Sequence, residues 1–465
     1  MAFLIVLAAL CFLMLAAYRG YSVILFAPVA ALGAVLLTDP TLVAPMFTGL
    51  FMEKMVGFLK LYFPVFMLGA IFGKVIELSG FSKAIVASTI GLLGRQRAML
   101  SIVLVCALLT YGGVSLFVVV FAVYPFAAEL FREADIPKRL IPGTIALGAF
   151  TFTMDSLPGT PQIQNIIPTT FFGTTAWAAP RLGIAGASFI LIVGMRYLNW
   201  RRRKAQAMGE GYGSDHINEP APFDDGKLAH PLLALLPLVL VGGGNLVLTW
   251  LIPRFYAPSP SFVPAVFGNP PPVVVETAKV AALWAVEGSL LLGILCTFAF
   301  ASRRVTHRFA DGSKLAVSGA MLASMNSASE YGFGAIVAAL PGFRVVADAL
   351  HFVPNPLVNE AISVTSLAAI SASASGGVSM ALAAMADIFV HNAKAAGIPM
   401  EVLHRVAAMA AGGMDTLPHN GAVITLLAVT GLTHRQSYRD IFAVTLIKTA
   451  AVFVVIGTFY ITGWV

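Results

Sequence analysis

The sequence predicts an all-α polytopic membrane protein, built as an inverted repeat with two re-entrant helical hairpins and two broken transmembrane helices. Three observations lead there. Hydrophobic residues make up 58% of the chain and charged residues 11%, against roughly a quarter charged in soluble globular proteins. The stretch Met154-Asp155-Ser156-Leu157-Pro158 returns as Met414-Asp415-Thr416-Leu417-Pro418, at an offset of 260 (415 − 155). Further matches keep the same order: Gly112-Gly113-Val114-Ser115 with Gly376-Gly377-Val378-Ser379 at 264 (376 − 112), Ile136-Pro137 with Ile398-Pro399 at 262 (398 − 136), and Gly69-Ala70-Ile71 with Gly334-Ala335-Ile336 at 265 (334 − 69). Shared alanine and leucine content does not produce ordered matches of this kind, so the chain reads as a duplicated membrane unit.

The mean hydropathy is +0.87, and 465 residues leave room for about ten crossings of ~20 residues each. The net charge of +7 comes from basic residues at segment ends, which fits positive-inside orientation and not nucleic acid. Cys11, Cys106 and Cys296 stand far apart in apolar runs without metal-ligand spacing, so buried thiols are expected and no metal site. The run Ala2 to Ala17 lacks a basic leading region and a cleavage site, and is read as a first transmembrane helix.

Apolar segments follow at about 21 to 38 and 58 to 78. The run 98 to 131 is interrupted by Gly112-Gly113, and a hairpin fits it better than one very long helix. The run 137 to 180 is broken by Asp155-Ser156-Leu157-Pro158-Gly159-Thr160-Pro161, where two prolines and a glycine stop the helix. A helix at 182 to 199 ends the first half, and the hydrophilic stretch 200 to 229 reads as a cytoplasmic linker. Helices at 230 to 253 and 275 to 301 come next, then one at 315 to 340 after a basic segment. A second hairpin spans 357 to 395, a second broken helix 399 to 432, and a last helix 441 to 463. The division is thus 1 to 57 for N-terminal transmembrane helices, 58 to 199 for the first repeat, 200 to 229 for the linker, 230 to 314 for linking or scaffold helices, and 315 to 465 for the second repeat.

Topology agrees with this plan. With both termini outside, Arg19, Arg95, Arg132, Arg139, Arg201 to Lys204, Arg303 to Arg308 and Arg439 all fall inside. The first hairpin then enters from the cytoplasm and the second from outside, the inverted arrangement of secondary transporters.

A helix that stops at membrane depth offers N–H groups and a positive dipole end to an anion, and free carbonyls to a cation. The polar residues at the two breaks and hairpin tips are therefore candidate substrate-binding residues. In the first half these are Gly112, Gly113, Ser115, Asp155, Ser156, Thr160, Gln162 and Asn165; in the second, Ser375, Gly376, Gly377, Ser379, Asp415, Thr416, His419 and Asn420. Asp155 and Asp415 occupy equivalent places, either capping the half-helix that follows or carrying a proton or sodium ion. His419 stands where the first half has Gly159, and the neutral range of an imidazole suits substrate-linked protonation and direct anion contact equally. Glu330 replaces Val65 of the first half. Asp155, Asp415, Glu330 and His419 are the coupling candidates, and no catalytic residue is assigned. The sequence holds no Walker A loop, HExxH, GxSxG or CxxC, so an enzyme is not expected.

The Gly-Gly-Val-Ser tips, each followed by a helix broken at Asp-Ser-Leu-Pro or Asp-Thr-Leu-Pro, resemble the gluconate–proton symporter family of the wider ion-transporter superfamily. The resemblance runs from the helix at 58 to the end of the chain. It implies an elevator-type carrier whose scaffold helices form a homodimer, taking up a small organic acid with protons across the bacterial inner membrane. Gluconate, or a short hydroxy acid such as 3-hydroxybutyrate, is the implied substrate; no cofactor is implied. The Ser-Asn-Thr tip signature of the dicarboxylate and citrate branch is absent, which disfavours sodium-coupled di- or tricarboxylate transport as the alternative. A channel or non-transporting receptor is the reading from another class.

Overall fold

The computed structural model describes residues 2–93, 97–114, 116–214, 216–220, 228–263, 271–343, 345, 353–418 and 420–465. Helices account for nearly all of the regular structure. The exception is a two-residue antiparallel pairing of Ser261–Phe262 with Val273–Val274 in the loop between two long helices. Among the described residues, six helices are long and apolar enough to cross a membrane, including Pro180–Ala207, Pro231–Phe255 and His434–Thr462.

Both predicted interruptions are helix ends. Ala98–Tyr111 and Leu116–Glu133 form the first antiparallel hairpin, and Pro356–Ser371 and Ala374–Ala395 the second. Gly113 turns the first at φ +90°, a conformation that glycine adopts freely. The entering arms have 14 and 16 residues, or about 21 and 24 Å, short of the ~30 Å hydrocarbon core. The first broken helix consists of Ile141–Ala149, a single turn at Phe152–Asp155, and Ile163–Phe172 after the Pro158-Gly159-Thr160-Pro161 stretch. The second consists of Met400–Ala411 and Gly421–Thr430.

The packing is crossed. Ile163–Phe172 of the first repeat contacts Ala374–Ala395 of the second hairpin, and Gly421–Thr430 contacts Leu116–Glu133 of the first hairpin. Each repeat therefore leans its second half-helix on the hairpin of the other.

Three local readings change. The helices expected at 275 to 301 and 315 to 340 are one helical run, Thr277–Ala339, bent where Ala301 leaves helical geometry (φ −131°, ψ 24°). The basic stretch between them contains no proline, and Arg, Lys, Ala and His tolerate helix well. Both arms of the run lie on Met52–Ser79 and the turn before it: Gly293 packs against Phe72, Arg304 donates to the Ser79 carbonyl at 3.4 Å, and Gly332 packs against Phe51 in that turn. Second, Phe81–Leu93 is a further helix, set off by Gly80 in the left-handed conformation (φ +78°). Third, the last helix starts at His434 and not near 441, because Thr433 and Gln436 make a reciprocal capping box.

The stretch after Ala207 is bound to the body of the protein as far as it is described. Asp135 accepts from the Tyr212 N–H at 2.8 Å, Lys138 donates to the Ile217 carbonyl at 2.8 Å, and Asn218 donates to the Ala428 carbonyl at 2.9 Å. Glu210 pairs with Arg139 at 2.5 Å, and Glu219 pairs with Lys138 at 2.8 Å and with Arg132. The same end holds Asp440 between Arg201, at 2.6 Å, and the Tyr197 hydroxyl, at 2.8 Å.

The Arg139 hydrogen bonds hold the Glu210 carboxyl below its ordinary range. At Glu219 burial pushes upward, but hydrogen bonds from Lys138, Arg132 and Tyr212 together outweigh it and the net shift is downward. A depressed carboxyl stabilises docking above the ordinary glutamate value of about 4.3 and loses that contribution as the pH falls through the folded value. A nitroxide on Ile217→Cys, with exposed Cys11 replaced, is therefore expected to be immobilised at neutral pH and released below about pH 4. Spectra whose mobility is the same at neutral and at acid pH would contradict this docking.

Candidate functional site

Each hairpin tip is latched to the break of its own repeat by a side-chain amide. Gln162 donates to the Thr110 carbonyl at 2.8 Å in the first repeat, and Asn420 donates to the Ala372 carbonyl at 2.7 Å in the second. The Tyr111 hydroxyl adds a bond to the Pro158 carbonyl at 2.8 Å, and Gly113 sits against Pro161. The hairpin tip and the break, remote in sequence, are thus joined in each half, although in the second the turn is at Ala372-Ser373 and Gly376-Gly377 lie inside Ala374–Ala395.

The first break is closed internally by its own polar residues. Ser156 Oγ donates to Asp155 Oδ1 at 2.7 Å, Thr160 Oγ1 to the Thr153 carbonyl at 2.8 Å, and Asn165 Nδ2 to the carbonyls of Thr160 and Ala176 at 3.0 Å each. In the second break Thr416 Oγ1 meets Thr445 Oγ1 at 2.5 Å, and the Thr416 carbonyl accepts from Tyr438 at 3.1 Å. Capping of the following half-helix belongs to Asn420, whose Oδ1 accepts from the N–H groups of Ala422, at 2.7 Å, and Val423, at 2.9 Å. Asp415 is left to another use. Its carboxylate accepts from Lys448 on the last helix.

At the second hairpin Ser375 Oγ accepts from Ser327 at 2.9 Å, and the Ser375 carbonyl accepts from Ser379 at 2.5 Å. Gly377 lies so close to Ala368 of the facing arm that a Cβ would be 2.2 Å from its Cα. Gly112 is similarly covered by Leu238, and Gly376 by the carboxyl of Glu330. Ser115 and His419 lie outside the described residues.

What joins the two halves is a set of buried basic side chains that sequence reasoning passed over. Arg405, in the first half of the second broken helix, donates to the Asp155 carbonyl at 2.7 Å, to Asn165 Oδ1 at 3.0 Å and to the Ala178 carbonyl at 2.8 Å, all in the first repeat. His404 stands between Thr174 Oγ1, at 2.6 Å, and Asn165 Oδ1, at 3.2 Å. Lys448 bridges the breaks, donating to Asp415 and to the Phe150 carbonyl at 3.0 Å. Asp155 also abuts Gly412 at the second break, where a Cβ would lie 1.9 Å from Asp155 Oδ2. Asp155, Asp415, Arg405, Lys448 and His404 are all buried.

A signal for these residues was present. At the offset of 260, Arg405 faces Ile145 and Lys448 faces Ser188 in the first half. Unmatched cations in apolar segments are the same kind of observation as unmatched Glu330.

Arg405→Met strips the donor from three buried acceptors, each worth about 1–3 kcal/mol when left unpaired. Destabilisation of about 3 kcal/mol or more is expected, read as a fall in Tm in detergent, with Arg405→Lys recovering only part because one ammonium cannot span the three oxygens. An unchanged Tm in the Met variant would contradict the interlock.

No family model matches the chain. The uncharacterized transporter YxjC of Bacillus subtilis (strain 168) is 57% identical over 477 residues, covering 100% of this chain and 100% of that protein. Among solved structures, the YdaH transporter of Alcanivorax borkumensis, described as having an unusual topology, superposes with a TM-score of 0.58 at 14% identity over 92% of this chain and 90% of that one. That likeness establishes a shared fold. Full-length identity at this level establishes more: the chain belongs to the family of the uncharacterized transporter YxjC and is a membrane transporter.

Proposed function

We propose that the protein is a secondary active transporter that carries a small organic acid anion with protons across the bacterial inner membrane, as the resemblance to gluconate–proton symporters implies. Gluconate and short hydroxy acids such as 3-hydroxybutyrate are the proposed substrates. The observation that carries this reading is the meeting of Asp155, Asp415, Arg405 and Lys448 where two interrupted helices cross in an apolar interior. Ionisable groups held at such depth are functional by default. Ile163–Phe172 and Gly421–Thr430 both begin at the breaks, so their positive dipole ends face the same region and suit a carboxylate.

The break carbonyls favour protons over sodium as the coupling ion. Phe150, Asp155 and Ala178 offer oxygens of the kind a bound sodium ion uses, and they are occupied by the side chains of Lys448 and Arg405. A tethered cation at each oxygen leaves less for a mobile one.

The amide latches support elevator-type movement, since they tie each hairpin to its broken helix as one unit. Met52–Ser79 and Pro231–Phe255 both pack on Thr277–Ala339, and the three form the proposed scaffold, through which a homodimer would assemble. The end bearing Arg132, Lys138, Arg139, Arg201 and the 208 to 220 segment faces the cytoplasm under the positive-inside rule. Both termini then lie outside, and the hairpins are re-entrant from opposite sides.

Proteoliposomes holding the purified protein are expected to accumulate gluconate or 3-hydroxybutyrate under an inward proton gradient, to lose accumulation with an uncoupler, and to be indifferent to replacing sodium by choline. Uptake that requires sodium, or that prefers citrate or succinate, would favour the alternative. Single-channel currents would overturn the carrier reading.

A further inference from the structure

The second hairpin rests on an acid that is not part of the crossing site. Glu330 lies on Thr277–Ala339 and is 1% exposed, and among the described residues its Oε2 has no hydrogen-bond partner. Its carboxyl rests on Gly376 in the first turn of Ala374–Ala395, so closely that a Cβ on Gly376 would fall 1.5 Å from Oε2 and 2.3 Å from Cδ. The glycine is there because the carboxyl takes the space of a side chain. One turn before it, Ser327 bonds Ser375 at 2.9 Å, and Ser375 lies 3.4 Å from Ser373 Oγ, the residue that caps the hairpin helix.

Among the described residues, the groups placed around Glu330 are uncharged. Ser373 and Ser375 come from the hairpin, and Ser327 and Tyr331 from its own helix. Phe51, Phe58 and Tyr62 come from the helix opposite and the turn before it, packed on Gly332 and near Tyr331. Among the described residues Glu330 forms no salt bridge. Glu360 is buried too, and among the described residues both of its oxygens lack a partner, but it sits inside the hairpin. Glu330 differs in that its contact spans two elements.

We infer that Glu330 carries the transported proton and that the second hairpin controls its access. Resting on Gly376, the carboxyl is sealed from water and cannot exchange. When the hairpin shifts against Thr277–Ala339, Glu330 Oε2 meets water, takes a proton from hydronium on one face of the membrane, and returns it to water on the other. An ionised carboxylate left without a partner in this apolar setting is strongly disfavoured, so the loaded hairpin closes only over a protonated Glu330 and the proton crosses with the solute. This rests on the carrier reading above and names the coupling group within it.

The test uses full-length protein in proteoliposomes, with radiolabelled gluconate and 3-hydroxybutyrate as separate probes. A gradient of about one pH unit corresponds to about 1.4 kcal/mol and thus to about tenfold accumulation at one proton per solute. Glu330→Gln is expected to lose that accumulation and merely equilibrate the probe, while solute counterflow at equal pH on both sides stays near wild type. Accumulation equal to wild type in the Gln variant overturns the inference and leaves the carrier reading intact. If the Gln variant loses counterflow too, Glu330→Asp decides: recovery of accumulation supports the inference, and continued loss at normal Tm overturns it. Wild-type vesicles that neither accumulate nor exchange either probe count against the proposed function itself.

Discussion

The constraint on which the rest depends is the fate of backbone groups freed inside an apolar core. Two helices stop and restart, and each stop strands carbonyls where no bulk water can reach them. In this protein the stranded oxygens of the first repeat are met by cations of the second: Arg405 takes those of Asp155 and Ala178, and Lys448 takes that of Phe150. An interruption that would be unstable alone becomes a joint between repeats. The joint places Asp155 and Asp415 at one locus and makes the site a property of the folded pair, not of either half.

Around that joint the duplication is only approximate. The latches are equivalent, an amide on each break bonding a carbonyl of its own hairpin tip, although Gln162 serves in one half and Asn420 in the other. The cations have no such counterparts. A carrier that binds one solute needs a shared frame with unlike contents, and the departures from symmetry at Glu330, Arg405 and Lys448 are where such contents reside. The acid at the hairpin contact and the cations at the crossing are separate, so under the proposed reading solute and proton are handled at different places, one within the moving unit and one where that unit meets the scaffold.

Much of the frame was legible because its signals are local. Proline, glycine and aspartate in an apolar run mark a break whatever surrounds them, and their recurrence marks a second one. Asn420 as the cap was less legible than Asp415, since both are good capping residues and only the geometry of the turn chooses. The basic stretch after Ala301 was misread because charge suggested a loop, whereas without proline the backbone stays helical. Arg405 and Lys448 were missed for a different reason. Their partners are backbone carbonyls 227 to 298 positions away, and a carbonyl leaves no mark in a sequence. Docking of the 208 to 220 segment is hidden for the same reason, since Lys138 and Asn218 also bind carbonyls.

The central claim, that the two breaks touch, is tested most directly at Asp155 and Gly412. Gly412→Ala places a methyl group 1.9 Å from Asp155 Oδ2, so the overlap should be relieved when the carboxyl is removed. A double-mutant cycle of thermal stability in detergent, with Gly412→Ala, Asp155→Ala and the pair, is expected to give a double variant less destabilised than the sum of the singles by about 1 kcal/mol or more. Simple additivity, within about 0.3–0.5 kcal/mol, would place the two breaks apart and contradict the account.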